Sequence, residues 1–347
     1  MKNRKIKWGV IGSGGIAYRK TIPEGIVKAP NAILSTVYDV NEIVNNNVAK
    51  EFSALSAKSI EDVVDSDVDA VYIASPPNVH LEHVIACAKK KKHILCEKPL
   101  GLTTPEIEQM IKVCEAEGVA LGVGLMMRFS MQHREALKAI EQGIIGKPVF
   151  GRAQLSCWYP PINGAWRQNL SQSGGGSLMD MGSHCIDLLE MFFGAISSVS
   201  CRINNVVHNY GVEDSAVVLL EFANGATAIV DTHFCVPDAA SKNMLELYGS
   251  QGSIIAKGTI GQSESGEMTI YSESDERGYD ANQVRASTGG REINPEPVNT
   301  YLAEIQEFGS AILENRKPLN DAAVGLRNHE VVTACYQSAK TGGKIII

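Results

Sequence analysis

A glycine-rich turn near the start of the chain, GVIGSGGIA at residues 9–17, constrains the fold more than any other feature. Gly12, Gly14 and Ala17 fit the pattern G-x-G-x-x-[GA], between a short apolar run and a helical pattern. The first glycine permits a tight turn, the second lets the backbone approach a pyrophosphate, and the small third residue lets helix pack on strand. Alone the pattern is a weak signal, but in this setting it predicts a dinucleotide-binding βαβ unit.

Apolar and helical segments alternate over the first 125 residues. The apolar runs after the glycine turn are AILSTVYD, DAVYIASPP, HILCEKP and ALGVGL, and helical patterns such as EIVNNNVAKEF and PEIEQMIKVCEAEG separate them. Strands that alternate with helices of about 10–15 residues are typical of a parallel sheet with right-handed crossovers. We therefore predict a doubly wound α/β Rossmann domain over residues 1–127.

The pattern changes after about residue 127. Segments such as DSAVVLLEF and GATAIVDTHF alternate apolar and polar residues, and Asn224-Gly225 between them is a hairpin signal. We expect residues 128–347 to form an α+β domain with a mainly antiparallel sheet. Its helices, near 177–193, 298–314 and 322–341, are expected on one side of that sheet. The polar, glycine-rich residues 259–297 indicate a long loop or an edge hairpin.

Charge and cysteine usage narrow the partners and the compartment. The formal net charge is -7, which argues against a broad nucleic-acid surface, because such surfaces need clustered Lys and Arg. The run KKKK at 89–92 closes a predicted helix, where cations suit the helix dipole. Eight cysteines without C-x-x-C spacing indicate buried free thiols in a reducing compartment. With no apolar run long enough for a signal segment or a membrane span, we expect a soluble cytoplasmic protein.

The glycine turn and the end of the second strand predict the nucleotide contacts. A helix N-terminus offers N–H donors to phosphates, and Asp39 can accept both hydroxyls of an adenosine ribose. A 2′-phosphate would be repelled by Asp39, and Val40, Asn41 and Glu42 supply no base, so NAD is favoured over NADP. The candidate residues in this part of the chain are Gly12, Ser13, Gly14, Gly15, Ile16 and Asp39.

A second loop, ASPPNVH at 74–80, follows the third strand. Ligands of such folds bind at the carboxyl edge of the sheet, so this loop is expected to cover the cofactor. Asn78 could also serve as the N-cap of the following helix, and both interpretations can hold. The candidates here are Ser75, Pro76, Asn78 and His80.

The segment CEKPLG at 96–101 follows the fourth strand at the same edge. Most lysines on loops are solvated, but the proline after Lys98 restricts the chain and aims the side chain. A cation beside a nicotinamide can polarise a substrate hydroxyl and stabilise the developing alkoxide. Lys98 is therefore a catalytic candidate, and Glu97 and Lys98 are candidates for cofactor contact.

A helical segment, SGGGSLMDMGSHCIDLLEMFFG at 173–194, carries Asp180, His184 and Asp187 on one predicted face. A histidine between two carboxylates suits acid–base chemistry, because its ordinary pKa is near neutrality and carboxylates can orient it. The trio could instead bind a metal, but a second histidine is missing and nothing else completes a ligand set, so no metal site is expected.

Taken in order, the segments GVIGSGGIA, EKPLG and GGGSLMDMGSHCIDLL resemble the Gfo/Idh/MocA family over nearly the whole chain. That family includes glucose-fructose oxidoreductase, inositol dehydrogenase and rhizopine-catabolism relatives. The resemblance implies a catalytic Lys98, often with a cis Lys-Pro bond, and a substrate-binding Asp180, His184 and Asp187. It also implies that residues 128–347 are a substrate-binding and oligomerisation domain with an open sheet, through which a homodimer or homotetramer forms.

The stretch CWYPPINGAWRQNLSQSGGG resembles the sugar-binding segment of the 1,5-anhydrofructose reductase branch of the family. This resemblance implies that Tyr159, Trp166 and Arg167 line the substrate pocket, although Trp166 could merely pack. Arg128, in MMRF, could be a pocket residue or part of a salt bridge. Asp39 departs from that branch, whose members tend to prefer NADPH.

These observations predict an NAD(P)-dependent oxidoreductase that transfers a hydride between nicotinamide and a ring carbon of a sugar or cyclic polyol. In this prediction His184 exchanges the hydroxyl proton, Lys98 stabilises the charge on that oxygen, and Asp180 binds and orients the substrate. Two alternatives remain: an NAD-dependent glycosidase that acts by transient oxidation, and a sugar sensor that binds NAD without turnover. Sensors tend to lose the lysine and the histidine, which are both present in this chain.

Overall fold

The computed structural model describes residues 4–262, 264, 266–272 and 289–347. The chain divides into two compact units that are discontinuous in sequence. The first unit contains the residues up to Phe129, Ile162–Asp180 and Val298–Glu330, and the second contains the rest of the described chain. The predicted boundary between the two domains, after residue 127, stays a prediction. The first segment of the first unit ends close to it, at Phe129.

Strands and helices follow one another along the described part of the chain. The strands are β1 Ile6–Ile11, β2 Ala32–Tyr38, β3 Leu55–Ser56, β4 Ala70–Ile73, β5 His93–Glu97, β6 Leu121–Gly124, β7 Pro148–Ser156, β8 Ile196–Asn204, β9 Ser215–Phe222, β10 Thr227–His233, β11 Met244–Gly249, β12 Gly252–Lys257, β13 Glu267–Ser272, β14 Arg291–Glu292 and β15 Ile345–Ile346. The α-helices are α1 Glu42–Glu51, α2 Ile60–Asp65, α3 His80–Lys89, α4 Thr104–Glu117, α5 Met131–Glu141, α6 Leu170–Ser173, α7 Ser183–Phe193, α8 Thr300–Glu314 and α9 Ala322–Thr341. Ala17–Ile26 and Leu178–Gly182 are π-helical, and Pro77–Val79, Met126–Phe129, Trp166–Gln168 and Asp238–Ala240 are 3₁₀-helical.

The first unit is built on a six-stranded parallel sheet in the order β3-β2-β1-β4-β5-β6. This confirms the predicted doubly wound sheet. The strand order reverses between β1 and β4, so a crevice forms beyond their carboxyl ends, where such folds bind ligands. Every residue of β4 is buried, as expected for a strand covered on both faces. The short β3 and α2 carry too few residues for a periodic pattern and were not predicted.

Local sequence signals explain where several helices begin. Asn41 accepts a hydrogen bond from the Val44 backbone N–H and so caps α1. Thr103 and Glu106 form a capping box at the start of α4, in which each side chain accepts a bond from the other's backbone N–H. These caps fix the helices that follow β2 and β5, and therefore the ends of those strands.

The second unit is built on a nine-stranded sheet in the order β14-β13-β12-β11-β7-β10-β9-β8-β15. All the described strand pairs are antiparallel except β7 with β10, which confirms the mainly antiparallel prediction. β9 and β10 form the hairpin that Asn224-Gly225 predicted. β13 and β14 form an antiparallel edge pair within 259–297, and residues 263, 265 and 273–288 of that region lie outside the described residues.

Helix α8 does not belong to the second sheet, contrary to the expectation for residues 298–314. It lies in the first unit, where Ile305 and Phe308 are fully buried in the core with β1. The Phe308 ring lies 5.7 Å from the Trp8 ring. The apolar stripe of α8 shows that one face is buried, but it does not show which sheet buries it. The position of α8 after the second sheet in the sequence therefore gave the wrong sheet.

Helix α8 also carries a fully buried carboxyl, Glu304. Its Oε1 accepts a hydrogen bond of 3.0 Å from Asn320 Nδ2, which also donates to the Val123 carbonyl. Burial raises the pKa of Glu304 well above its ordinary value, and the nearby Glu97 carboxyl raises it further. Glu304 is therefore expected to be neutral in the folded protein at neutral pH.

We expect the free energy of unfolding of Glu304→Gln to fall less with rising pH than that of wild type. Above the unfolded pKa of about 4.3, the unfolded chain releases a proton that folded Glu304 keeps, so the free energy of unfolding falls as pH rises toward the folded pKa. Glutamine has no proton to lose. Relative to wild type, the variant should therefore gain at least about 1.4 kcal/mol between pH 4.5 and pH 8, the equivalent of one pKa unit.

Urea unfolding at several pH values measures this difference. The matched control is Glu314→Gln on the exposed part of the same helix, which should show no comparable gain. A constant difference between Glu304→Gln and wild type across the pH range would show that folded Glu304 is ionised.

The described residues show no membrane-spanning helix: none combines the necessary length with the necessary hydropathy. All eight cysteines are free, and six of them are buried. Among the described residues there is also no group of three or more His, Cys, Asp or Glu side chains placed to hold a metal ion.

Candidate functional site

The glycine turn lies between β1 and the loop that follows β4. Gly12 has φ +81°, and a Cβ there would lie 2.7 Å from the Ala74 carbonyl carbon and from the Ser75 nitrogen. Its N–H and that of Ser13 both donate to the Tyr38 carbonyl, at 2.8 and 3.0 Å. Only glycine fits a turn this close to a neighbouring backbone. The turn is thereby fixed at the crevice between β1 and β4.

The next part of the turn fits a phosphate group. Gly15 has φ +56°, and no heavy atom lies within 4 Å of the position that its Cβ would take. The space beside the backbone is thus open at the start of the helix Ala17–Ile26. The Ser13 side chain is fully buried and bonds to Asn45, and its backbone N–H donates to the Tyr38 carbonyl. The Gly14 N–H donates to Asp39, so Gly15 and Ile16 are the best candidates for donation from the backbone to a pyrophosphate.

Asp39 lies directly after β2 and is held by two backbone N–H groups. Its Oδ2 accepts from Gly14 and its Oδ1 from Asn41, both at 2.9 Å. Each carboxylate oxygen keeps a lone pair for a ribose hydroxyl. Val40, the next residue, is 91% exposed, so the fold leaves room for a larger side chain at that position. The residues present fit an adenosine ribose with free hydroxyls.

The loop after β4 is fastened to the turn that carries Lys98. The His80 ring is fully buried, with Nε2 2.8 Å from the Ser75 carbonyl and Nδ1 3.1 Å from the Pro99 carbonyl. Burial lowers the pKa of His80 to about 4, so at neutral pH the ring carries a single N–H, which donates to one of these carbonyls at a time. The enclosed ring joins the two loops, and the predicted role of His80 at the cofactor stays a prediction.

Asn78 does not cap the following helix, contrary to one of its two interpretations. It lies inside the 3₁₀ turn Pro77–Val79, and α3 begins at His80 with Val79 at its N-cap position. Pro77 can start a helical turn because it has no N–H to satisfy, so the helical backbone begins before Asn78 and Asn78 lies inside it. The predicted roles of Ser75, Pro76 and Asn78 at the cofactor stay predictions.

Lys98 meets Asp180 within the first unit, although 82 residues separate them in the sequence. The Lys98 Nζ donates to the Asp180 Oδ1 and to the Asp180 carbonyl oxygen, each at 2.6 Å. The Lys98–Pro99 bond is cis, as the family resemblance implied. Only 13% of the Lys98 side chain is exposed, so its ammonium is partly desolvated and held in one direction.

Two further predicted residues lie around this ion pair. The Arg167 Nε lies 3.7 Å from the same Asp180 Oδ1. The Arg167 guanidinium also lies over the Trp166 ring, 4.3 Å from its centroid. Together with Pro99, these side chains line a small recess. The first unit therefore brings together Lys98, Asp180, Arg167 and Trp166.

The remaining predicted residues are placed individually. Arg128 lies in the 3₁₀ turn Met126–Phe129 of the first unit. In the second unit, Tyr159 packs its ring 5.1 Å from Phe234. His184 and Asp187 lie on α7 in the second unit and are 6% and 3% exposed. The helical segment that the sequence predicted is confirmed, but its first turn, with Asp180, is π-helical.

Two functional candidates were missed by the sequence analysis, Tyr72 and Thr21. Tyr72 is fully buried in β4, and its hydroxyl donates to Glu97 Oε1 and accepts a bond of 2.9 Å from Thr21 Oγ1. The signal was a lone phenol within an apolar strand, since a buried phenol needs a polar partner. Nothing in the sequence indicated which partner that would be.

Comparisons with known proteins agree with this architecture. Residues 6–125 match the family described as "Oxidoreductase family, NAD-binding Rossmann fold", and residues 133–255 match the "GFO/IDH/MocA C-terminal domain". The chain is 27% identical over 345 residues to the 1,5-anhydro-D-fructose reductase of Ensifer adhaerens, covering 97% of each. It is 32% identical over 256 residues to the myo-inositol 2-dehydrogenase of Thermotoga maritima, covering 72% of this chain and 74% of that one.

A solved structure shares the fold over the full length. A levoglucosan dehydrogenase in complex with NADH and levoglucosan superposes with a TM-score of 0.86 at 23% identity, covering 99% of this chain and 100% of that one. The two matched domains, the two-sheet architecture and the inositol dehydrogenase relative lead to the same assignment. This protein belongs to the Gfo/Idh/MocA family of NAD-binding oxidoreductases.

Proposed function

We propose that this oxidoreductase interconverts a hydroxyl and a carbonyl on a ring carbon of a sugar or cyclic polyol, with NAD as its cofactor. The observation that carries the proposal is the Lys98 ammonium, held by Asp180 through two bonds of 2.6 Å at the carboxyl edge of the first sheet. When bound, the nicotinamide supplies or accepts the hydride of the redox step. The chain's own task is to manage the proton and the charge on the substrate oxygen.

Lys98 is proposed to stabilise negative charge on that oxygen. Its ammonium is largely withdrawn from water, and a fixed cation in a partly desolvated place interacts more strongly than one in bulk water. Asp180 is proposed to hold Lys98 and to accept a substrate hydroxyl. His184 is proposed to take or give the hydroxyl proton, on the strength of the D-x-G-x-H pattern that it shares with Asp180.

The substrate class is proposed from two side chains near Lys98 and from the relatives. Trp166 offers an aromatic face and Arg167 a set of donors, which together suit a hydroxylated ring. The named relatives act on, or bind, an anhydro sugar, an inositol and levoglucosan. We assign Arg128, Tyr159 and Asp187 to substrate binding as part of the same proposal.

A panel of sugars, anhydro sugars and inositols tests the proposal, with absorbance at the NADH band as the readout. We expect turnover with at least one ring polyol or its ketone. Aryl glycosides in the same panel test the glycosidase alternative, because phenol release without net NADH would identify transient oxidation. Tight NAD and sugar binding with no turnover on any substrate would instead identify a sensor.

NAD is proposed as the preferred cofactor because Asp39 is already fixed by Gly14 and Asn41 where a ribose 2′-phosphate would lie. The double variant Asp39→Ser, Val40→Arg should narrow or invert the preference, since it removes the repelling carboxylate and adds a cation at an exposed position. We expect a change of at least tenfold in the ratio of NADH to NADPH dissociation constants, measured by fluorescence titration. The control, Ile43→Arg, adds a cation at an exposed position on α1 and should leave the ratio unchanged. Tighter NADPH binding by the unmodified protein would contradict the assignment.

A homo-oligomer formed through the second sheet is part of the proposal. One face of that sheet is closely packed, with Val218 and Leu220 fully buried, whereas Val217 and Leu219 on the other face are 47% and 43% exposed. Exposed apolar residues on an open sheet suit an isologous contact. Light scattering would distinguish dimer from tetramer. The free cysteines favour a reducing compartment, and we propose the cytoplasm.

A further inference from the structure

The Glu97 carboxyl lies beside Lys98 in a space that the fold leaves for it. A Cβ on Gly124 of β6 would lie 3.2 Å from Glu97 Cδ and Oε2, so only glycine at that position admits the carboxyl without crowding it. Glu97 Oε2 accepts a hydrogen bond of 3.2 Å from the Lys98 backbone N–H. The carboxyl is thus attached to the residue that is proposed to stabilise charge on the substrate.

A chain of hydroxyls ends on the other oxygen of this carboxyl. Thr21 Oγ1 donates to the Tyr72 hydroxyl, and the Tyr72 hydroxyl donates to Glu97 Oε1. Tyr72 and Thr21 are both fully buried, so water does not compete for these bonds. An ionised carboxylate only accepts hydrogen bonds, so a negatively charged Glu97 requires donation along the chain from Thr21 through Tyr72 to Glu97.

The surroundings would otherwise favour a neutral carboxyl. Burial raises the pKa of Glu97, whereas the Tyr72 hydrogen bond and the Lys98 ammonium lower it. The Glu97 carboxyl in turn raises the pKa of the buried Glu304 carboxyl, so charge on Glu97 favours the neutral form of Glu304. The charge of Glu97 therefore depends on a few specific donors.

We propose that Tyr72, supported by Thr21, is a positioning residue of the redox site that holds Glu97 ionised and in one orientation against the backbone of Lys98. Tyr72 is fully enclosed and touches no substrate, so it acts through Glu97. With the phenol removed, Glu97 can take up a proton, rotate, and withdraw a negative charge from the vicinity of the Lys98 ammonium. This inference rests on the proposed role of Lys98.

The central experiment is an infrared titration of the whole protein without substrate. The spectrum of Glu97→Gln, subtracted from that of wild type, isolates the Glu97 carboxyl band, and the corresponding subtraction in the Tyr72→Phe background does the same. We expect Glu97 to take up its proton at a pH about one unit higher in Tyr72→Phe. Thr21→Val should displace the midpoint in the same direction by less, because it removes only the support of the phenol.

A matched control is Tyr301→Phe. Tyr301 is a second buried phenol in the same unit, 3% exposed, and its hydroxyl does not bond to Glu97 among the described residues. Its removal should leave the Glu97 midpoint within about 0.3 unit. An unchanged midpoint in Tyr72→Phe, or an equal displacement in Tyr301→Phe, would overturn the inference. If Tyr72→Phe does not fold, the Thr21→Val midpoint decides the same question.

Kinetics with a substrate found in the panel add a second readout. In Tyr72→Phe we expect kcat to fall about tenfold at pH 7, with the KM for NAD within about twofold of wild type. Tyr72→Phe added to Glu97→Gln should lower kcat no further, because the carboxyl through which Tyr72 acts is already absent. A further fall of kcat in that double variant would overturn the inference. The infrared result does not depend on turnover, so a failure of the proposed function would be separately visible in the panel.

Discussion

Replacement of Lys98 with alanine is expected to lower turnover by about a thousandfold, equivalent to about 4 kcal/mol of transition-state stabilisation. The ammonium is removed from a partly desolvated position where two bonds of 2.6 Å hold it, and water entering the space would solvate an alkoxide less well than a fixed cation. NAD affinity should stay within a few fold, because Asp39 and the glycine turn are unchanged. Steady-state kinetics and a separate NAD titration measure the two effects.

The matched control for Lys98 is Lys92→Ala. The Lys92 ammonium is also half-buried and also donates to two oxygens, the Ser66 and Val68 carbonyls, but it lies before β5 at the opposite end of the strand. Lys92→Ala should be less stable than wild type but should keep nearly the same turnover. Turnover of Lys98→Ala within about tenfold of wild type, roughly 1.4 kcal/mol, would show that the catalytic role belongs elsewhere.

Replacement of His184 with asparagine is expected to lower turnover strongly, by about a hundredfold or more, and to abolish the acid limb of the rate profile. In the oxidation direction a neutral imidazole must accept the hydroxyl proton, so activity should fall as pH drops through a single ionisation. We expect the acid limb itself, at whatever pH its midpoint lies.

The rate profile of kcat from pH 5 to pH 9 is the measurement, and His233→Asn is the control. His233 is a partly exposed histidine of the second unit that bonds to Ser215 on the open sheet, so its loss should change neither rate nor limb. An asparagine variant at 184 that keeps both the rate and the acid limb would move the proton to another group. Lys98 would then be the next candidate, and His184 would become a substrate-binding residue.

The sequence determined the two sheets, because their signals are local. The period of apolar residues along each strand and helix reports which face is buried, and the glycine turn reports a backbone conformation that other residues adopt only with strain. Gly12 and Asp39 lie where these patterns indicated, and the cis bond before Pro99 is the one that the family resemblance implied. Lys98 and Asp180 were selected as candidates from the sequence, since each belongs to a short motif that stands out in the chain, and the structure pairs them.

Only the tertiary structure decided which partner each buried group meets. The pattern of α8 predicts a buried stripe equally well for either sheet, and Trp8 receives Phe308 only because the chain returns to the first unit after residue 297. In the same way, Tyr72 and Glu97 are unremarkable in sequence, and their bond follows from the adjacency of β4 and β5 in the sheet. Hydrogen bonds and ion pairs act over a few ångströms in space and carry no signature along the chain, so the support around Lys98 emerges only when the strands are brought together.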